Sequence, residues 1–392
     1  MKVLVISDIH GSGYYAEKIK EINEREKPDK IILLGDLYYH GPRNDLSQEY
    51  NPMKVAEILN SLKDKLLVVR GNCDAEVDEM ISEFKHKGYL EPLEKNVMTE
   101  EVRDSFPQKY LESICEENGH IYSVPFQMDI MMFWVNQELL KQAGLDEIKN
   151  TGDFDILQKS LKNPDQYAYG DAWENTHVYN SLSQFVNFWG GDYFDWTDPK
   201  TKDAARYMKS MLDEKNTSPA QFVDQYEQME EKFIRGKYGC VFMYTSALGT
   251  FLDADVYGKN KIHMAPLPVL HKKKATNIAT WQYVLNNASE NKDAAVRFLQ
   301  YAAGYEGSTE YAKIMKSYPA RVDVIENEDI DLEGIDMIRK YLREYTLNAR
   351  PLCENSMGAV SDMGKLFQGY VLGQCEEDSF FEQAQNCINT YY

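Results

Sequence analysis

The chain has 392 residues, enough for two or three domains with a large core. Its 43% hydrophobic and 27% charged residues are typical of a soluble globular protein. A net charge of −20 repels phosphate backbones and argues against nucleic acid as a partner. No apolar run reaches the roughly eighteen residues of a membrane span.

The first residues carry no pattern of a secretory signal. Only residues 3–6 are apolar in succession before Asp8, and no small-residue cleavage site follows. We therefore expect a cytoplasmic protein. The six cysteines form neither a Cys-x-x-Cys pair nor a zinc-ligand spacing, which predicts no disulfide framework and no structural zinc.

The first eighty residues show the pattern of a parallel sheet with helices. Short, β-branched apolar runs at residues 3–6, 31–34 and 66–69 predict strands that are buried on both faces. A helix is predicted in each interval, and the second begins with Asn51 as N-cap and Pro52. Together they predict a βαβαβ unit with right-handed crossovers. The apolar faces of the two helices are predicted at Tyr15, Ile19 and Ile22, and at Val55, Ile58, Leu59 and Leu62.

Polar residues follow each predicted strand. Asp8 and His10 come after the first strand, Asp36 after the second and Asn72 after the third. Loops after parallel strands emerge along one edge of the sheet, so these side chains are expected to converge. Carboxylate and amide oxygens with one imidazole suit manganese or another divalent metal, or two ions bridged by Asp36. Such a two-metal site polarises a phosphoryl group and generates hydroxide.

These motifs resemble the calcineurin-like metallophosphoesterases, the YfcE-type phosphodiesterases in particular. The resemblance implies that Asp8 and His10 hold one metal, that Asp36 bridges, and that Asn72 holds the second metal. The family completes its site with a Gly-His and a later Gly-His-x-His. We therefore predict that the segment supplies sheet and helices without catalysis; the alternative is a metal-dependent phosphodiesterase. Five histidines lack the required setting: His86, His120, His177, His263 and His271.

From about residue 82 the landmarks change. A Gly-Tyr-Leu at 88–90, a predicted helix that ends at Gly144, a Gly-Gly turn at 190–191 and an Ala-Arg-Pro at 349–351 follow one another. Their order resembles the family 1 extracellular solute-binding proteins, the sugar-capturing components of ABC importers. The resemblance implies two α/β lobes that close on a sugar or oligosaccharide, an ABC permease as partner, and an exported protein.

Aromatic and polar residues of this second segment suit sugar binding. Sugars stack their C–H faces on aromatic rings, and their hydroxyls need fixed donors and acceptors. Trp189 and Trp281 are the strongest candidates, because glycine beside Trp189 permits close backbone approach and polar neighbours of Trp281 suggest an open loop. The predicted stacking residues are Trp173, Trp189, Trp196, Trp281 and Tyr122, and those for the hydroxyls are Asp192, Glu174 and Arg321.

The predicted domains are residues 1–80, a partial metallophosphoesterase βαβαβ unit, and residues 81–392, the solute-binding lobes. The fold class is α/β, a two-lobe periplasmic-binding-protein-like fold with that N-terminal unit. According to one hypothesis, the first eighty residues take the place of the missing start of a solute-binding lobe. Their parallel strands would then extend the sheet of that lobe into one continuous sheet. The rival hypothesis is a fusion of two gene fragments with a misfit seam, which exposes unpaired sheet edges and is prone to aggregate. A further alternative is a chain without a native function. The predicted function is a non-catalytic carbohydrate-binding protein of the ABC importer type.

Overall fold

The computed structural model describes residues 2–39, 46–68, 90–117, 119–287, 289, 291–351, 353 and 355–392. The chain forms two compact units. Unit 1 comprises Met1–Pro92 and Val284–Ala295, and unit 2 comprises Leu93–Tyr283 and Val296–Tyr392. The predicted boundary at residue 80 lies before the observed one, and residues of the second segment take part in unit 1. There Leu90 pairs with Asn286, and Lys292 forms an ion pair with Glu91 at 2.6 Å.

Unit 1 contains the βαβαβ arrangement expected from its apolar runs. Three parallel strands are hydrogen-bonded in the order β1-β2-β3. The third predicted strand ends at Val68 in the described part, and Val69 lies outside it. The elements are β1 (Val3–Ile6), α1 (Gly13–Glu26), β2 (Lys30–Leu33), α2 (Pro52–Ser61), a 3-10 turn (Lys63–Lys65) and β3 (Leu66–Val68).

One face of this small sheet is covered by the two helices. Leu4, Ile31 and Leu66 lie side by side in register, and all three pack against the core that the helices complete. Because successive side chains of a strand point to opposite faces of the sheet, the next residues that face this core lie two positions further along each strand. The helix α2 buries Val55 and Leu59, as its apolar spacing predicts.

The other face of the sheet is exposed. Val3 is 37%, Val5 56% and Leu34 48% exposed, so the prediction of strands buried on both faces is wrong for this sheet. Tyr15 was also predicted on the buried face of α1, but it is 55% exposed and Ala16 is buried instead. An apolar run shows which residues can be buried, whereas the packing partners decide which of them are.

Unit 2 is built on a six-stranded sheet of order β11-β10-β6-β8-β7, with β9 also paired to β6. Among the described strands, β1–β3 form a sheet of their own, so the hypothesis of one continuous sheet is wrong. The six strands of the large sheet are β6 (Ser123–Asn136), β7 (Tyr167–Gly170), β8 (Tyr238–Tyr244), β9 (Ile262–Ala265), β10 (Ala275–Val284) and β11 (Thr346–Asn348), while β4 (Glu116–Glu117) and β5 (His120–Ile121) pair antiparallel in a sheet of two strands.

The strand β6 is the centre of unit 2. Its last ten residues are almost all buried, because β8 and β9 pair with it antiparallel and helices cover its faces. Trp134 is fully buried and its indole N–H donates to the Met243 carbonyl at 2.8 Å. The side-chain oxygen of Asn136 then caps the following helix, Gln137–Gln142. Gly144 follows the end of this helix with φ 71°, as its position predicted.

The remaining helices surround this sheet. No described helix is long and apolar enough to cross a membrane. The described cysteines are all free, and Cys73 lies outside the described residues. The helices are α3 (Glu100–Arg103), α4 (Gln108–Ile114), α5 (Gln137–Gln142), α6 (Thr151–Ser160), α7 (Tyr179–Trp189), α8 (Pro199–Asp213), a 3-10 turn (Pro219–Val223), α9 (Tyr226–Ile234), α10 (Ala247–Asp253), α11 (Lys292–Ala303), α12 (Tyr305–Met315), α13 (Val322–Ile325), α14 (Ile335–Glu344), α15 (Ser356–Val371) and α16 (Glu377–Tyr391).

Candidate functional site

Three of the predicted metal ligands meet at the end of the unit 1 sheet. The ligand atoms of Asp8, His10 and Asp36 all lie within 4.8 Å of one another. The His10 Nε2 atom is 3.3 Å from Asp8 Oδ1 and 3.8 Å from Asp36 Oδ2. All three residues have positive φ values of 58°, 48° and 56°, a backbone region that residues other than glycine seldom adopt. Asn72, the fourth predicted ligand, lies outside the described residues.

The orientation of His10 suits a metal ligand. Its Nδ1 is 2.8 Å from the Tyr39 carbonyl oxygen, which can only accept a hydrogen bond. The proton of a neutral ring is therefore on Nδ1, and the Nε2 lone pair faces the two carboxylates. Two carboxylates and one imidazole fit a divalent cation. A protonated ring between the same carboxylates would instead form ion pairs without a metal.

Unit 2 contains a cavity of about 280 Å³. Its walls come from the end of α4, the start of α7, the end of β8, the middle of β10 and the segment between β11 and α15. Most of the lining side chains are neutral amides and hydroxyls, and two aromatic rings are among them. The lining residues are Ile114, Tyr179, Asn180, Tyr244, Asn277, Ile278, Ala279, Thr280, Gln282, Asn348, Arg350, Pro351 and Ser356.

Asn277 holds one wall of this cavity in place. Its amide nitrogen donates to the Asn180 carbonyl at 2.9 Å and to the Ser183 hydroxyl at 2.8 Å. Its carbonyl oxygen accepts from the Asn187 amide at 2.8 Å, while its backbone N–H donates to the Gln184 side chain at 2.8 Å. Because this buried amide is fully engaged, it orients the start of α7 rather than presenting free donors.

The two tyrosines of the cavity keep their protons at neutral pH. Burial raises the pKa of Tyr179 to about 12, with Arg350 acting in the opposite direction. Burial also raises the pKa of Tyr244, whose hydroxyl donates to the Asn180 side-chain oxygen at 3.4 Å. Neutral phenols can both donate and accept hydrogen bonds. Their rings offer apolar faces beside these polar groups.

Two other lining side chains have no hydrogen-bond partner among the described residues: Asn348 and Arg350. The guanidinium of Arg350 lies 5.0 Å from the centroid of the Tyr179 ring, a cation–π contact that supports it from one side. The backbone of Asn348 is in register with Asn277 at the end of β11. The strand therefore positions the Asn348 side chain at the wall.

The predicted stacking tryptophans are mostly packed inside unit 2. Trp189 is the last residue of α7, directly before Gly190, and is 7% exposed. Its ring stacks on His271 with a centroid distance of 4.9 Å. Trp173 is 0% exposed between Phe222 and Phe367.

Trp196 is 1% exposed and packs edge-on against Phe380. Trp281, by contrast, is 62% exposed on β10, between the lining residues Thr280 and Gln282. Tyr122 is half-buried and contacts the His120 ring edge-on. None of the predicted stacking residues contributes to the cavity lining.

The predicted polar residues also lie outside the lining. Arg321 is 7% exposed; it makes two hydrogen bonds to the Asp323 carboxylate and donates to the Ala303 carbonyl at 2.8 Å. Asp192 accepts from the Phe194 backbone N–H at 2.9 Å, and Glu174 accepts from the Thr176 N–H at 2.9 Å. These contacts tie the three side chains to the local scaffold.

The cavity residues were not among the predicted site residues. The Ala-Arg-Pro at 349–351 is a landmark of the family resemblance and gives no local sign of a binding role. Tyr179, Asn180 and Tyr244 gave no local signal, since α7 and β8 are far apart in sequence and meet only in the folded sheet. Tyr179 begins a helix and Tyr244 ends a strand, and neither position is marked by glycine or by a polar-flanked aromatic in the sequence.

The chain matches the family described as bacterial extracellular solute-binding protein over residues 60–309. A probable amino-acid ABC transporter periplasmic-binding protein, y4oP of Sinorhizobium fredii, is 24% identical over 239 residues, 58% of this chain and 54% of that protein. Phosphodiesterase YfcE of Escherichia coli K12 is 46% identical over 84 residues, 21% of this chain and 46% of that protein. The chain thus spans about half the length of the curated relatives it matches.

Solved structures resemble the whole chain. An ABC transporter solute-binding protein from Thermotoga lettingae, bound with α-D-tagatose, has a TM-score of 0.67 at 17% identity and covers 100% of this chain and 99% of its own. The GacH receptor of Streptomyces glaucescens, studied unliganded and with acarbose, has a TM-score of 0.65 at 15% identity, with coverage of 100% and 99%. These similarities confirm the predicted α/β fold of periplasmic binding proteins. With more than half of its residues matched, the chain belongs to the family of bacterial extracellular solute-binding proteins.

Proposed function

We propose that the protein binds a carbohydrate as the solute-binding component of an ABC importer, with the unit 2 cavity as the ligand site. The observation that carries this proposal is the lining itself. Neutral amides and hydroxyls surround two protonated tyrosines, and this set offers both donors and acceptors to sugar hydroxyls while ring faces meet their C–H groups. An apolar ligand would leave the Asn348 amide and the Arg350 guanidinium, which have no hydrogen-bond partner among the described residues, unpaired, which is unfavourable.

The size of the cavity and the family support the same proposal. About 280 Å³ is close to the lower end of the roughly 300–1,000 Å³ typical of small-molecule pockets, so one or two sugar units would fill it. Two solved structures of this fold are described with tagatose and with acarbose. The relative y4oP is described as a probable amino-acid transporter component, so amino acids form the competing ligand class.

We propose that Asn348 is a ligand donor and that Tyr179 and Tyr244 supply the ring faces. The predicted roles of Trp281 and Trp189 remain separate hypotheses. In the structure Trp281 is exposed beside the lining, whereas Trp189 is stacked on His271. The other predicted residues, Trp173, Trp196, Tyr122, Asp192, Glu174 and Arg321, would then support the scaffold around the site.

Calorimetric titration of a panel of neutral sugars, acidic sugars and amino acids tests this function. We expect a mono- or oligosaccharide to bind in the high-micromolar range, about 5 kcal/mol. Asn348→Ala should weaken that binding by about 0.5–1.5 kcal/mol, the contribution of one lost hydrogen bond. The matched control Asn389→Ala, on the exposed face of α16, should leave it unchanged.

Two results would contradict the proposal. A folded protein that binds no sugar, or one that binds only amino acids, would exclude the carbohydrate function. Sugar binding that is unchanged in Asn348→Ala would show that the ligand binds outside this cavity. Trp281→Ala and Trp189→Ala in the same titration test the two tryptophan hypotheses directly.

A second candidate function rests on the cluster of Asp8, His10 and Asp36. We propose that these residues bind one divalent cation such as Mn²⁺, because two carboxylates and a correctly oriented imidazole nitrogen face one point. A bound cation would supply a Lewis acid to a phosphate ester. His10 would be held by the Tyr39 carbonyl, and Asp36, which is 6% exposed, would be shielded from solvent.

Metal binding and hydrolysis can be measured separately. We expect calorimetry to detect Mn²⁺ binding that is lost in Asp36→Ala. We also expect the protein with Mn²⁺ to hydrolyse bis-p-nitrophenyl phosphate no faster than Asp36→Ala, because the histidine motifs that complete the related sites are missing from the sequence. Absence of Mn²⁺ binding would refute the metal site. A metal-dependent rate that Asp36→Ala abolishes would make the phosphodiesterase the primary function.

A further inference from the structure

Arg350 is the charged residue in a cavity that is otherwise lined by neutral side chains. Its side chain is half-buried, and the guanidinium is supported by the Tyr179 ring at 5.0 Å. Within the described part of the chain it forms neither an ion pair nor a hydrogen bond. The guanidinium thus lies over a ring, and its N–H groups, which have no partner among the described residues, are available to a ligand.

Other arginines of the chain form hydrogen-bonded pairs with carboxylates, which Arg350 does not. Arg206 donates twice to the Glu377 carboxylate, and Arg343 donates twice to Glu326. Carboxylates are abundant, since the chain has 63 acidic residues and 43 lysines and arginines. Even so, no described carboxylate pairs with Arg350.

Asp192 is the acid whose charge acts on the neighbouring Tyr179 hydroxyl. Its Oδ1 atom accepts the Phe194 backbone N–H, and it makes no ion pair with Arg350. Within the described residues, the cavity therefore presents a positive charge that no carboxylate pairs with.

A neutral ligand and an acidic ligand would affect this cation differently. A neutral sugar that fills the cavity removes water from the guanidinium without supplying a charge, which is unfavourable. A carboxylate supplies two oxygens that match the guanidinium fork and forms two charge-assisted hydrogen bonds. The net charge of −20 repels anions, but salt screens this repulsion beyond about 8 Å. A local ion pair between a ligand carboxylate and Arg350 can therefore still form.

We propose that the ligand of this cavity carries a carboxylate that pairs with Arg350, and that it is an acidic sugar of the uronic acid class. This inference rests on the proposed carbohydrate function. Arg350 determines the acid preference, while Asn348 and the two tyrosines contact the sugar hydroxyls and ring. The shared chemistry is the carboxylate, which an α-amino acid also has, so the experiment separates these two sources.

Calorimetric titration with galacturonate, digalacturonate, galactose, a neutral galactose disaccharide and a set of α-amino acids tests the inference. We expect the uronates to bind at least tenfold more tightly than their neutral counterparts. Arg350→Gln should remove this preference, and Arg350→Lys should retain part of it because the charge remains. The control Arg343→Gln, which removes an exposed arginine, should preserve the preference. Circular dichroism and thermal melts establish that each variant is folded.

The outcomes distinguish the two proposals. Equal binding of uronates and neutral sugars overturns the acidic ligand and leaves the carbohydrate function. A uronate preference unchanged in folded Arg350→Gln and Arg350→Lys overturns the pairing of the ligand carboxylate with Arg350. Binding of amino acids alone, lost in Arg350→Gln, overturns the uronate assignment and the carbohydrate function together. A folded wild-type protein that binds no member of the panel also overturns both.

Discussion

Trp134→Ala is expected to lower the free energy of unfolding by about 3–5 kcal/mol, the range observed for large aromatic side chains removed from cores. Trp134 is fully buried on β6 and contacts the Phe251 ring edge-on at a centroid distance of 4.9 Å. Its removal would leave a cavity in the central strand. The substitution would also remove the indole N–H that donates a hydrogen bond to the Met243 carbonyl oxygen at 2.8 Å.

Trp281→Ala is the matched control, because it removes the same indole from an exposed position. That side chain is 62% exposed, so its loss should change the unfolding free energy by no more than about 0.5 kcal/mol. Urea denaturation followed by far-ultraviolet circular dichroism measures both variants without relying on indole fluorescence. Similar losses in the two variants would contradict the central position of Trp134 in the core.

Gly364→Ala is expected to destabilise the protein by about 1–3 kcal/mol through overpacking. A Cβ atom at Gly364 in α15 would lie 1.9 Å from the Asn175 carbonyl oxygen and 2.7 Å from its carbonyl carbon. These are backbone atoms, so the segment before α7 would have to move. Asn175 is also held to α15 by its side-chain amide, which donates to the Ser361 hydroxyl at 2.7 Å.

Gly369→Ala in the same helix provides the control. A Cβ atom there would find only the Gln374 side-chain oxygen, at 3.9 Å. Alanine should therefore stabilise the helix by about 0.5–1 kcal/mol relative to glycine. Thermal melts and urea titrations should shift in opposite directions for the two variants. A shift in the same direction would show that α15 does not pack against the segment at Asn175 as closely as the structure indicates.

Elements of the fold that depend on short-range signals were predictable. The side-chain oxygen of Asn51 accepts the Lys54 N–H at 3.1 Å, and Pro52 is the first residue of α2, as the local sequence indicated. The positions of β1, β2 and β3 follow from apolar runs that need no long-range partner to be recognised. The motifs after these strands also brought Asp8, His10 and Asp36 together, because parallel strands end along one edge.

The candidate sugar site could not be predicted in the same way. Tyr179, Tyr244 and Arg350 belong to three separate elements, and their proximity depends on the pairing of β8 and β10 with β6. Conversely, the glycine beside Trp189 suggested an approachable ring, but this tryptophan ends α7 and stacks on His271. Trp281, predicted in an open loop, lies on β10 and is exposed. Aromatic composition identifies rings that can contact a sugar, whereas the tertiary packing selects those that remain accessible.

The sequence by itself determined the two family resemblances, the βαβαβ order of unit 1, the caps of individual helices and the cluster of Asp8, His10 and Asp36. These features depend on residues close together in the chain or on the known geometry of parallel strands. Only the tertiary structure decided that one face of the small sheet is exposed, that β1–β3 form a sheet of their own, and that Arg350 lies in a neutral cavity. Each depends on which distant elements pack together, because burial and accessibility are properties of the assembled surface rather than of a sequence pattern.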